Sequence, residues 1–291
     1  MAALPAFMVE TLFYLGSLFE NSRLWFACLD GAKGKAALLW LSALLPYLVF
    51  SVSAGTITPN GFCLLALLSG ILAFWHAVLP RRLAYDIGFL IVAAAPFITK
   101  VFSRIYVSPD QHIKVDILGH LMWIRLGLLS LLVLREWDPG PIGLWPRRRE
   151  WLIGTLWFAL TILPVSFTAL ELHDVRFSPL PYSWWKIAGI AIGTFLGFFW
   201  VVTLAEELFF RGVIQRALLD WAKSPVLAIL VTAVLYGSVH LWFHQFPNWQ
   251  RSVVVVILGI GCGLAYLQTG SIRASMVTHA LTIVCWKILF K

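Results

Sequence analysis

Residues 187–211 read IAGIAIGTFLGFFWVVTLAEELFFR, a run without charge from Ile187 to Ala205 that ends on Glu206, Glu207 and Arg211. A helix rising 1.5 Å per residue needs about 20 apolar residues to cross a bilayer core, so this stretch reads as a membrane-spanning helix with ionisable groups at one end. The rest of the chain agrees with that reading. Of 291 residues, 60% are apolar and 12% charged, and mean hydropathy is +0.85. Soluble domains carry roughly 25% charged residues, about twice this fraction. The composition excludes a disordered chain, a fibrous repeat and a nucleic-acid module. The net charge of +8 sits in short connections, where basic residues set topology.

Eight further apolar stretches predict spans: Ala36–Ala54, Gly61–Leu79, Leu83–Ser103, Ile117–Leu134 and Trp151–Leu170, then, beyond Ile187–Phe210, Pro225–Trp242, Ser252–Gln268 and Ile272–Phe290. The expected fold is all-α, a polytopic membrane helix bundle of about 8–10 transmembrane helices. Leu4–Leu18 is short and interrupted by Glu10, which predicts an interfacial or re-entrant segment. Three regions follow: an N-terminal segment 1–35, variable helices over 36–185, and a C-terminal core over 186–291. Residues 1–20 lack a basic n-region and carry Glu10 and Glu20, so the first spanning helix is expected to insert and remain. The basic residues of the connections favour a cytoplasmic N-terminus. Tryptophans near span ends, among them Trp145, Trp151, Trp184 and Trp185, fit an interfacial belt. Cys28, Cys63, Cys262 and Cys285 form no CxxC pair, so neither a disulfide framework nor a cysteine-ligated metal is expected.

Charges inside a span cost about 2.5–3.5 kcal/mol even on the lenient insertion scale, so they point to function by default. Glu207 and Arg211 stand i,i+4 with the acid first, the favoured order for an intrahelical pair. Glu206 is displaced round the helix at 100° per residue and needs a partner from another helix. A carboxylate beside a second one in low dielectric suits a general base. Candidate partners are His240, in Tyr236-Gly237-Ser238-Val239-His240, and His279, in Met276-Val277-Thr278-His279-Ala280. His244 lies four residues after His240, but Leu241 stands where a zinc-protease HExxH would carry its glutamate. If a metal is held, Glu206, His240 and His279 would match zinc's three protein ligands; otherwise no cofactor is expected, and zinc stays open. The bland reading of Glu207 and Arg211 is a clamp that leaves Glu206 unexplained. His76, His112, His120 and His173 read as interfacial. Arg125, inside the fourth span, is expected to snorkel or to pair with Asp116 or Glu136.

Glu206-Glu207-Leu208-Phe209-Phe210-Arg211-Gly212, the aromatic-GxxH of Tyr236 to His240, and the segment Leu264 to Ala280 containing His279 resemble the motifs of the CPBP family. These are the CAAX-protease and bacteriocin-processing, or abortive-infection, glutamic-type intramembrane proteases, the group of the Ras-converting CAAX endopeptidase. The resemblance covers about Phe199 to Trp286. It implies an intramembrane endopeptidase in which Glu206, helped by His240, activates water. His279 donates to the oxyanion, while Glu207, Arg211 and Tyr236 support the site. The implied partners are the lipid bilayer and a membrane-associated, lipidated or sorting-signal-bearing protein substrate, with no nucleic acid. A bacterial cytoplasmic (inner) membrane is the expected location. The family's third motif usually places asparagine four residues after the histidine; here that residue is Ile283. A non-catalytic scaffold or immunity protein, and a proton-coupled transporter, remain alternatives.

Overall fold

The structure, a computed structural model, describes residues 3–17, 26, 29–108, 115–137, 143, 145–242 and 245–291. Leu18, Cys28, His112 and His244 lie outside them. Among the described residues the fold is all-α. The helices are α1 (Leu4–Ser17), α2 (Gly31–Ala54), α3 (Pro59–Val78), α4 (Leu83–Thr99), α5 (Phe102–Ile105) and α6 (Asp116–Leu134). They continue with α7 (Arg148–Glu171), α8 (Trp184–Ala222), α9 (Pro225–Val239, extended by a 3-10 turn to Trp242), α10 (Trp249–Thr269) and α11 (Ile272–Leu289). Eight of these, α2, α3 and α6 to α11, are long and apolar enough to cross a membrane. The chain is a multi-pass integral membrane protein. α4 stops at Thr99, short of the expected Ser103, because Lys100 takes a left-handed backbone at φ 51°.

Local chemistry sets several helix starts. Thr58 and Ser224 each accept a hydrogen bond from a backbone N–H three residues on, at 3.3 Å, ahead of Pro59 and Pro225. Proline at that position forfeits only an N–H that the helix leaves unpaired anyway. Asn248 and Ser271 also cap their helices, α10 and α11, with side chains that accept from the backbone N–H groups of Arg251 and Arg273.

The chain forms two compact units, residues 1–138 and 139–291. Within the first, Arg125 of α6 corrects two expectations. Its guanidinium donates from Nε and Nη2 to Glu10 of α1 at 2.8 and 3.1 Å, and from Nη1 to the Ser42 hydroxyl of α2 at 2.9 Å. It neither snorkels nor pairs with Asp116 or Glu136. Glu10 is fully buried in α1 and does not interrupt it. The acid and the base neutralise one another in a setting where neither could remain charged alone.

In the second unit, close approach through glycine joins α7, α10 and α11. A Cβ at Gly154 would lie 2.6 Å from the Ala274 carbonyl, and one at Gly261 would collide with Thr161. Small residues of this kind let membrane helices pack backbone to backbone. Polar anchors reinforce the contact: Thr278 donates to the Gly154 carbonyl at 2.9 Å, and buried Arg273 pairs with Glu150 at 2.9 Å. α11 is therefore held in fixed register where it carries His279.

Candidate active site

α8 changes helical type where its acids lie. It is π-helical over Phe199–Thr203, α-helical over Leu204–Glu207 and π-helical again over Leu208–Gln215. The i→i+5 bonding of π turns recurs at functional sites, and it voids the uniform 100° per residue used in reading the sequence. Glu207, Arg211 and Gln215 all turn inward and are completely buried. Arg211 donates from Nη1 to Glu207 Oε1 at 3.1 Å and from Nη2 to the Gly259 carbonyl of α10 at 2.9 Å. One turn on, Gln215 donates to the Gly263 carbonyl at 3.0 Å. Both acceptors belong to glycines, so no side chain shields carbonyls whose second lone pair stays free inside a helix. Arg211 also lies over the Tyr236 ring, 4.8 Å from its centroid.

Glu207 Oε1 faces His279 Nδ1 at 2.8 Å, which orients the imidazole and leaves Nε2 for the other side. There Nε2 meets the Tyr236 hydroxyl at 3.2 Å. The same hydroxyl donates to Glu206 Oε2 at 2.7 Å, and Glu206 Oε2 is 3.9 Å from His279 Nε2. The Glu206 side chain keeps 29% of its surface exposed, whereas Glu207 has none. The two adjacent acids thus occupy opposite situations: one locked in an ion pair, the other at the edge of the site and open to a reactant. His240 packs its ring edge-on against Tyr236 at 5.0 Å, and its Nδ1 contacts the Tyr236 carbonyl at 3.0 Å. The Thr282 hydroxyl is spent on the Thr278 carbonyl of its own helix at 2.9 Å.

Tyr236 is among the supporting residues expected from the sequence, and one further residue, Cys262, goes beyond that set. Tyr236 stands between the exposed acid and the imidazole, in hydrogen-bond contact with both. Cys262, fully buried on α10, brings its thiol beside Glu207 and His279, and the ligand atoms of these three lie within 4.8 Å of one another. Among the described residues this is the cluster of acid, thiol and imidazole with metal-binding spacing, and it differs from Glu206, His240 and His279. It fits a dication poorly. The Glu207 oxygen facing His279 already holds the Arg211 guanidinium, and a second cation there would be repelled. Cys262 is hard to recognise from sequence, because a thiol in an apolar helix usually reads as a small hydrophobe.

Residues 184–284 match the family model described as Type II CAAX prenyl endopeptidase Rce1-like. This region is similar to that family. It contains every residue of the Glu206–Tyr236–His279 network, and α1 to α7 lie outside it. The Rce1-like family is a protease family. Over 82 residues the chain is 33% identical to the uncharacterized protein YyaK of Bacillus subtilis (strain 168), an alignment covering 28% of this chain and 27% of that protein. The match thus spans about a quarter of that relative's length. No solved structure matches.

Proposed function

We propose that the chain is an intramembrane endopeptidase that hydrolyses a peptide bond in a membrane-associated, lipidated or sorting-signal-bearing protein segment. Glu206, assisted by His240, takes a proton from water as the oxygen adds to the scissile carbonyl. His279 donates from Nε2 to the developing oxyanion, a contribution worth about 2.7–4 kcal/mol for one donor, and gives that proton to the leaving amine as the C–N bond breaks. Glu207 and Arg211 hold His279 in the required orientation. No step of this reaction is routed through a metal.

One observation carries this reading: a partly exposed carboxylate, Glu206, lies 3.9 Å from the Nε2 of an imidazole whose other nitrogen is held by a buried acid. The Rce1-like match over the same helices supports the peptidase class. The setting supports the substrate class, since a site within a membrane-spanning helix is reached by apolar or lipid-anchored segments.

The test is substrate trapping. Glu206→Gln, purified from its native membrane, should retain peptides that wild type releases cut, and mass spectrometry should find them intact. Equal recovery of cut peptides from both proteins would remove Glu206 from the chemistry. Ile283 in the asparagine position favours the scaffold alternative, and that reading predicts no cut peptide from either protein.

A further inference from the structure

The hydroxyl of Tyr236 is 1% exposed at the residue level and touches both groups that the proposed chemistry leaves in the wrong protonation state. Glu206 gains a proton from water and must lose it. His279, once its Nε2 proton has passed from the oxyanion region to the leaving amine, must regain one. Direct transfer would have to cross the 3.9 Å between Glu206 Oε2 and His279 Nε2. The phenol divides that path into two hydrogen bonds of 2.7 and 3.2 Å.

Two arrangements of the same protons satisfy every contact. In the first, His279 is an imidazolium: Nδ1–H donates to Glu207, Nε2–H donates to the phenol oxygen, and the phenol donates to an ionised Glu206. In the second, Glu206 is protonated and donates to the phenol oxygen, the phenol donates to a bare Nε2, and Nδ1–H still donates to Glu207. They differ by moving two protons through one oxygen.

We infer that Tyr236 is a proton relay between Glu206 and His279. The Glu206 O–H bond breaks as a proton joins the phenol oxygen, and the phenol O–H bond breaks as its proton joins Nε2. Glu206 returns as carboxylate and His279 as imidazolium, with no change in total charge and no proton drawn from bulk water. The groups facing this path are Glu206, Glu207 and Arg211 on α8, Tyr236 and His240 at the end of α9, Cys262 on α10 and His279 on α11. Arg211 and Glu207 form a closed pair, so the mobile proton is confined to the Glu206 side. The inference rests on the proposed peptidase reading for its catalytic meaning, but the proton sharing can be measured without a substrate.

Tyr236→Phe keeps the ring that packs on Phe210, His240 and Arg211 and deletes only the relay oxygen. With a fluorogenic farnesylated CAAX peptide as probe, kcat should fall about 100-fold, within the span of general acid–base contributions, at unchanged KM. The dependence of kcat on deuterium fraction should change from curved, with two protons in flight, to linear. Unchanged kcat or a curved dependence in Tyr236→Phe overturns the relay. The second measurement is 15N NMR of the His279 ring in nanodiscs. Glu206→Gln should shift the Nε2 resonance when residue 236 is tyrosine and leave it in place when it is phenylalanine. An equal shift in both backgrounds overturns the relay even if no peptide is cut, whereas an uncut peptide with the expected NMR coupling overturns only the peptidase reading.

Discussion

Replacing Arg211 with methionine keeps much of its length and removes its charge from a site where it and Glu207 are both completely buried. Three contacts go at once: the 3.1 Å pair with Glu207, the 2.9 Å bond to the Gly259 carbonyl and the stacking over Tyr236. Removing one partner of a buried pair costs about 3–5 kcal/mol, mainly because the remaining charge is stranded. That corresponds to a shift in the unfolding equilibrium of about a hundred- to several-thousand-fold. The Gly259 bond adds less than its separate worth, because the same side chain serves both contacts. Glu207→Gln combined with Arg211→Met strands no charge and still lets residue 207 accept from His279, so most of the loss should be recovered. The assay is equilibrium unfolding in mixed micelles, with helicity followed as denaturing detergent is titrated in. A single variant within about 1 kcal/mol of wild type, or a double variant as unstable as the single, would refute the clamp and the reasoning from charge burial.

Other outcomes follow from the same geometry. Arg125→Leu should destabilise the protein strongly and Glu10→Gln with Arg125→Leu much less; detergent unfolding of the three proteins checks whether Glu10 is an uncompensated charge without its partner. His279→Ala should abolish cleavage of a farnesylated peptide, with circular dichroism checking that helicity is kept, since its Nε2 is the donor assigned to the developing oxyanion. Dialysis against a chelator should leave turnover intact, and loss of activity restored by added zinc would overturn the metal-free scheme.

The spanning helices are legible because long uncharged runs admit few alternatives in a bilayer. The Glu207–Arg211 contact is legible because four residues along one helix bring side chains together. What escapes is pairing across distance. Nothing local joins Arg125 to Glu10, 115 residues away, and a reading confined to neighbours turns to Asp116 and Glu136. The same limit hides the carbonyls of Gly259 and Gly263, which carry no side chain and yet anchor Arg211 and Gln215. The π-helical turns escape for another reason: a periodicity of 3.6 is assumed before any residue is placed, so a segment that departs from it cannot announce itself. Tyr236 is visible as an aromatic beside His240, but its hydroxyl acquires meaning only when α8 and α11 bring Glu206 and His279 to either side.

In the proposed reaction everything depends on Glu206 activating water for peptide hydrolysis. The direct measurement uses purified wild type and Glu206→Gln in nanodiscs, a farnesylated CAAX peptide, and mass spectrometry of the new C-terminus. Wild type should give a defined cut and the folded variant none; matched cleavage by both would contradict a role for Glu206 in activating water.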